Sequence, residues 1–396
     1  MQEALKTNKK RIESIDILRG IVMVIMALDH VRDYFSNASP LDFGTTTPIL
    51  FFTRWITHFC APVFVFLSGT SIYLQSLRKT KNVLQSFLIK RGGWLIFVEV
   101  VIITFGWTFN PNYNFIILQV IWAIGISMVI LGLMIRLPFS VIFITGLLIV
   151  FGHNLLDISE SAAGFKAGFW WDLLHHGFFS FYPLSHNHTL IILYAFVPWA
   201  GLMMLGYCTG IFFSEKYSVI ERRKILNIIG ISLIIVFIIV RFINGYGNPE
   251  PWSIQKNWVF TILSFINVHK YPPSLLYTCM TIGPAFLLLS FFERIQNGFT
   301  RKISIYGRVA FFYYVVHIYL IHFVSLVFFM AKGHTMQEAT DIGSGIPFYF
   351  LSAKDGYSLL VVYLIWISVI IALYPLCKWY NTYKTNHREK WWLSYL

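Results

Sequence analysis

Long apolar runs constrain this chain more than any other feature. Crossing a bilayer as a helix takes about 20 mostly apolar residues. About ten stretches qualify, near 15–35, 49–77, 92–107, 115–135, 138–154, 189–213, 224–243, 274–293, 303–330 and 357–379. Charged residues make up 12% of the chain and hydrophobic ones 57%, and a soluble domain normally carries about twice that charged share. The expected fold class is therefore all-α, a polytopic membrane bundle of about ten transmembrane helices. Pro62 and Pro284 fall inside apolar runs. Neighbouring helices in a membrane can re-satisfy the backbone groups that such residues free.

The net charge of +13 raises the question of nucleic acid, and its distribution argues against it. Lys6, Lys9, Lys10 and Arg11 precede the first run. Arg78, Lys79, Lys81, Lys90 and Arg91 separate the second from the third, with no acid among them. Arg136, then Lys216, Arg222, Arg223 and Lys224, then Arg294, Arg301 and Lys302 fill every second connection after that. Lys378, Lys384, Arg388 and Lys390 follow the last run. The alternate connections hold few basic residues, among them Arg54, Lys270 and Lys354. Cytoplasmic loops collect Lys and Arg, so both termini are expected in the cytoplasm.

No stretch reads as a cleavable signal peptide, because the first apolar run contains charges and lacks a small-residue cleavage site. The expected organisation is a basic leader over 1–14, one membrane domain over 15–379 and a tail over 380–396. Cys60, Cys208, Cys279 and Cys377 lie far apart in apolar runs, so neither disulfides nor a metal site are expected. The outer connections GFWWDLLHHGFFSFYPLSHNH and GYGNPEPWSIQKNWVF are rich in aromatic residues. They read as amphipathic pieces at the membrane surface, either covering a cavity or forming an aromatic belt.

The first run, SIDILRGIVMVIMALDHVRDYF, carries Asp16, Arg19, Asp29, His30, Arg32 and Asp33. Ionisable groups in a span are costly and mark functional sites by default. Arg19 and His30 are about three helical turns apart, on nearly one face and separated by roughly 16 Å. Asp16 is spaced to pair with Arg19, or the two form an interfacial anchor. Asp29 and Asp33 flank His30 on one turn, and a neighbouring carboxylate orients an imidazole as a general base. A buried polar cluster that locks helix packing is the alternative. His58, Glu99, Arg308, His317 and His322 add polar groups to other spans. Each alone is compatible with an interhelical hydrogen bond, and together they imply a polar cavity. Glu99 is expected to pair with an arginine such as Arg91 or Arg54.

RIESIDILRG with MALDHVRDYF, THFCAPVFVFLSGTSIYL, LQVIWAIGISM, KYPPSLLYTCMTIGP and REKWWLSYL resemble bacterial members of the heparan-α-glucosaminide N-acetyltransferase catalytic-domain family. Arg19 and His30, with ten residues between them, also resemble the Arg-x10-His signature of the wider transmembrane acyltransferase superfamily. Tyr314 and His317 resemble its Tyr…His helix. The resemblance implies a bacterial inner-membrane enzyme that takes acetyl groups from cytoplasmic acetyl-CoA. It would deliver them to the amine or hydroxyl of a glycan or amino sugar on the far side, with no metal. Arg19, Asp16, Arg91 and Arg308 would serve the donor. His30 would be the base, with Asp29 or Asp33 orienting it and His58 or His317 stabilising the oxyanion. An acetyl-histidine intermediate is a second route. The lysosomal members carry an extra luminal domain before the first span. They have Asn where His30 stands and their catalytic His in the following segment. That segment here, SNASPLDFGTTTP, has no His, so the base falls to His30 or His58. A homodimer stays open. A proton-coupled transporter would use the same His and Asp groups as a relay, and a non-catalytic scaffold would not need them.

Overall fold

The computed structural model describes residues 11–340, 348–351, 355–387 and 389–394. Lys6, Lys9, Lys10, Lys354 and Arg388, counted above for topology, lie outside the described residues.

Helices dominate the architecture. The first elements are α1 (Glu13–Phe35), α2 (Pro48–Thr57), α3 (Cys60–Ser76) and α4 (Lys81–Val98). A π turn at Glu99–Ile103 joins α4 to α5 (Thr104–Thr108). There follow β1 (Phe115–Leu118), α6 (Val120–Met134), α7 (Phe139–Gly152), α8 (Leu156–Glu160) and α9 (Phe169–Trp171). Strands β2 (Ser180–Ser185) and β3 (His188–Ile192) precede α10 (Phe196–Thr209), α11 (Val219–Ile243), α12 (Trp258–Ile266) and α13 (Leu275–Phe292). The remaining helices are α14 (Gly298–Arg308), α15 (Ala310–Ala331), α16 (Met336–Ala339) and α17 (Leu359–Asn386).

Among the described residues, seven helical segments are long and apolar enough to cross a membrane: Pro48–Ser76, Phe139–Glu160, Phe196–Phe213, Val219–Ile243, Leu275–Phe292, Ala310–Ala331 and Leu359–Asn386. The chain is an integral membrane protein. Side chains at the helix starts satisfy free backbone N–H groups. Thr47, Thr80, Asn257 and Ser274 each accept from a backbone N–H in the first turn. Ser218 and Glu221 form a reciprocal capping box.

The expectation of a purely helical chain needs one correction. β1 pairs in parallel with β3, and β2 pairs antiparallel with β3. The aromatic connection read as an amphipathic surface piece therefore contains β2, and the apolar runs beginning near 115 and 189 open with β1 and β3. Short stretches rich in Ile and Phe fit a pleated surface as readily as a helix.

Helix α1 sits at the centre, in contact with α2, α3, α13, α14, α15 and α17. Its crossing with α14 is close because both sides offer glycine. A Cβ at Gly307 would overlap the Asp16 carbonyl, and one at Gly20 would overlap that of Ile303. Small residues let membrane helices approach in this way. The approach brings Arg308, the last residue of α14, to Asp16.

Candidate active site

Arg19, Met23, Met26, His30 and Asp33 line one cavity of about 1190 Å³. Their spacing alternates by four and three residues, which is one face of a helix. Basic side chains gather at the Arg19 end: Lys79, Arg91, Arg308 and Lys384 line the cavity with Arg19. Arg19 donates to Ser71 Oγ at 2.9 Å and lies 3.6 Å from Asp16. Asp16 also meets Arg11 and, at 3.7 Å, Arg308. One buried carboxylate thus organises three guanidinium groups.

At the other end, His30 Nδ1 lies 2.8 Å from His317 Nε2, with the two rings stacked. His317 is fully buried on α15, and its Nδ1 lies 3.0 Å from the Tyr313 carbonyl. This chain of contacts assigns the protons. A carbonyl can only accept, so His317 Nδ1 carries hydrogen and donates. Neutral His317 then presents Nε2 as an acceptor, and His30 Nδ1 must donate to it. His30 is left with a lone pair on Nε2, on a residue that lines the cavity. Trp107 packs edge-on against His30, 4.7 Å between centroids, and Tyr314 is 6.3 Å away. The Trp107 indole N–H and the Tyr314 hydroxyl are buried and make no hydrogen bond among the described residues.

Several expected partnerships are replaced by others. Asp29 and Asp33 do not orient His30. Both bind Arg32, at 2.7 and 2.8 Å, and Asp29 also accepts from the Thr57 hydroxyl at 2.9 Å. Arg32 lies between them in sequence, and its Nη2 meets both carboxylates. The group that orients His30 is His317. His58 lines the same cavity, and among the described residues both of its ring nitrogens lack a hydrogen-bond partner. Among the described residues, Glu99 pairs with no arginine. Its Oε2 accepts from the Trp122 backbone N–H at 2.8 Å. That caps α6, whose own N-cap residue, Gln119, supplies no side-chain bond. A helix start attracts negative charge. His322 does not join the cavity lining. It lies within hydrogen-bonding distance of the Gly106 and Tyr349 carbonyls and stacks on Phe109.

Reasoning from sequence missed Trp107, Lys384 and Tyr271 as lining residues, and took Lys270 for a loop charge. None of these carried a spacing signal; only a basic residue beside a Tyr-Pro-Pro loop hinted at Lys270. Away from the cavity, Asp157, Glu160 and His175 bring one donor atom each within 4.8 Å of one another. His175 bridges Glu160 at 2.7 Å and His153 at 2.9 Å, while Asn154 donates to Asp157.

A family model described as heparan-alpha-glucosaminide N-acetyltransferase, catalytic, matches residues 11–239. The matched span holds Arg19, His30, His58 and Arg91, while Arg308, His317 and Lys384 lie beyond it. No curated protein matches the chain.

Proposed function

The chain belongs to the heparan-alpha-glucosaminide N-acetyltransferase catalytic family, and from that premise we propose that it is a transmembrane acetyltransferase. It would take acetyl groups from cytoplasmic acetyl-CoA and pass them to an amine or hydroxyl of a sugar on the periplasmic side of a bacterial inner membrane. Beside the seven long apolar helices we count α1, residues 81–108 and α6 as spans. Both termini then face the cytoplasm, and the Arg19 end of the cavity is the cytoplasmic one.

One observation carries this reading. A single cavity joins a cluster of cations to an imidazole whose free nitrogen is fixed by a second histidine. Arg19, Lys79, Arg91, Arg308 and Lys384 suit the phosphates of CoA. The flexible pantetheine arm would run past Met23 and Met26. The distance from Arg19 to His30 along the helix, roughly 16 Å, is within its reach. The acceptor would enter from the His30 end. Its N–H or O–H gives its proton to His30 Nε2 while the nitrogen or oxygen attacks the thioester carbonyl. Trp107 N–H and Tyr314 O–H supply donors for the oxyanion. The attack forms the C–N or C–O bond, collapse of the tetrahedral oxyanion breaks the C–S bond, and the departing thiolate recovers the proton from His30. A two-step route would instead place the acetyl group on His30 first.

The test uses protein purified in detergent, labelled acetyl-CoA and a panel of amino sugars and glycans. Acetyl transfer by the wild type, lost in His30→Ala protein that still inserts, is the expected result. A burst of CoA without acceptor would mark the two-step route. Absence of both acetyl-CoA binding and acetyl transfer, with proton-driven solute uptake in proteoliposomes, would sink the proposal in favour of a transporter.

A further inference from the structure

The His30 end of the cavity carries more positive charge than its carboxylates can neutralise. Asp29 and Asp33 are both taken by Arg32. Arg54 on α2 and Lys270, in the segment between α12 and α13, line the same cavity. Among the described residues, Arg54 makes no side-chain hydrogen bond or ion pair, and Lys270 meets no carboxylate within 4.0 Å. The Lys270 ammonium stands 4.8 Å from the centre of the Tyr271 ring. Burial works against its charge, but Tyr271 and Asp29 hold its pKa above the usual lysine value, with Arg54 opposing them. Lys270 is therefore charged and within electrostatic reach of Arg54.

The segment that carries Lys270 is held in place. Arg241 is buried and donates to the carbonyls of Glu250, Ser264, Phe265 and Asn267, which pins the approach to Lys270. The His269 N–H adds a bond to Asn248 at 2.7 Å. Phe178 stacks on Tyr271 with centroids 4.8 Å apart, and both rings line the cavity. Asp29 offsets part of this charge, but two desolvated cations with no directly paired carboxylate among the described residues are costly unless a ligand completes them. A carboxylate carries one charge and is satisfied by one arginine fork. Two cations, one a fork and one a point charge, match a phosphate better.

We propose that Arg54 and Lys270 form an anion subsite that holds a phosphate group on the acceptor, so that the acceptor class is a phosphorylated sugar. This rests on the acetyl-transfer reading. The aromatic rim formed by Phe178 and Tyr271 would pack against the sugar ring while the phosphate sits between the two cations.

The experiment compares kcat/KM of the purified full chain for four acceptors. They are glucosamine, glucosamine 6-phosphate, a glucosaminyl phospholipid and a glucuronic acid–glucosamine disaccharide. At least one phosphorylated acceptor should exceed both glucosamine and the carboxylated disaccharide by about tenfold or more, as expected for at least one charge-assisted contact. The two phosphorylated arms tell a free sugar phosphate from a lipid-borne one. Arg54→Gln and Lys270→Gln should each collapse the preference through KM, and Arg54→Lys should retain most of it. Equal kcat/KM for neutral and phosphorylated sugars in the wild type overturns the subsite while leaving acetyl transfer intact. So does a carboxylated acceptor that outperforms both phosphates, or a preference that survives in folded Gln variants. If the wild type acetylates no sugar at all, the underlying reading and the subsite fall together. The wild-type comparison decides the matter even if a variant fails to fold.

Discussion

His30 and His317 share one hydrogen bond, Nδ1 to Nε2 at 2.8 Å, and the Tyr313 carbonyl beyond His317 sets its direction. The pair resembles a base and its orienting group, except that the orienting group is a neutral imidazole instead of a carboxylate. His317→Ala should free His30 to adopt the other tautomer and lose support for its protonated form. Correct orientation and protonation of a general base contribute about 10²–10⁴-fold in rate. The expected result is a kcat lower by about that factor, with the KM for acetyl-CoA nearly unchanged. Steady-state kinetics on the purified variant checks it. A loss confined to KM would instead make His317 a packing residue.

Donor recognition is predicted at the opposite end. Arg91 and Arg308 line the cavity beside Arg19. Arg308→Gln and Arg91→Gln should each raise the KM for acetyl-CoA about tenfold with a smaller effect on kcat, because a phosphate contact made equally in ground and transition states affects binding alone. For dephospho-CoA thioesters the penalty should shrink if the lost contact is to the ribose phosphate. Rising salt should mimic the substitutions, since exposed charge pairs are screened.

How much of this was legible beforehand depends on the range over which each signal acts. The apolar runs are local, and the helices fall on them. The spacing of Arg19 and His30 is also local, and both residues line one cavity. Partner choice is not local. The spacing of Asp29, His30 and Asp33 drew attention to contacts on one turn, yet Arg32 on that same turn takes both carboxylates. His30 finds its partner 287 residues away, and no spacing rule reaches that far. Trp107 was hidden for the same reason. The three strands were obscured because short apolar segments beside spans look like span ends until their pairing is seen.

The clamp formed by Asp29, Arg32 and Thr57 should behave as structure. Asp29→Asn keeps an acceptor for the Thr57 hydroxyl but weakens the charge pair with Arg32, whose side chain is 11% exposed. Weakening a mostly buried charged hydrogen bond costs about 1–3 kcal/mol. A lower unfolding midpoint in detergent is therefore expected. Asp29→Ala, which also removes the Thr57 contact, should lower it further. Residual kcat in the folded fraction of Asp29→Asn should stay close to that of the wild type, because Asp29 makes no hydrogen bond to His30. Loss of kcat without loss of stability would return Asp29 to the chemistry.

The crossing of α1 and α14 gives the last test. Gly307 lines the cavity, its missing side chain admits the Asp16 carbonyl, and Arg19 donates to the Gly307 carbonyl at 3.4 Å. Gly307→Ala must push the two helices apart, since a helix backbone cannot yield as a flexible side chain can. Overpacking of this kind costs about 1–3 kcal/mol. The displacement falls where Asp16 holds Arg11, Arg19 and Arg308 together. The variant should therefore lose thermal stability and acetyl-CoA affinity together, read by unfolding midpoint and by isothermal titration with CoA. Gly93 is the control, because a Cβ there meets nothing within 4 Å. Gly93→Ala should leave the affinity unchanged and should not lower the unfolding midpoint, since alanine favours a helix interior. Equal effects from the two substitutions would mean that the α1–α14 approach does not set the geometry of the donor end.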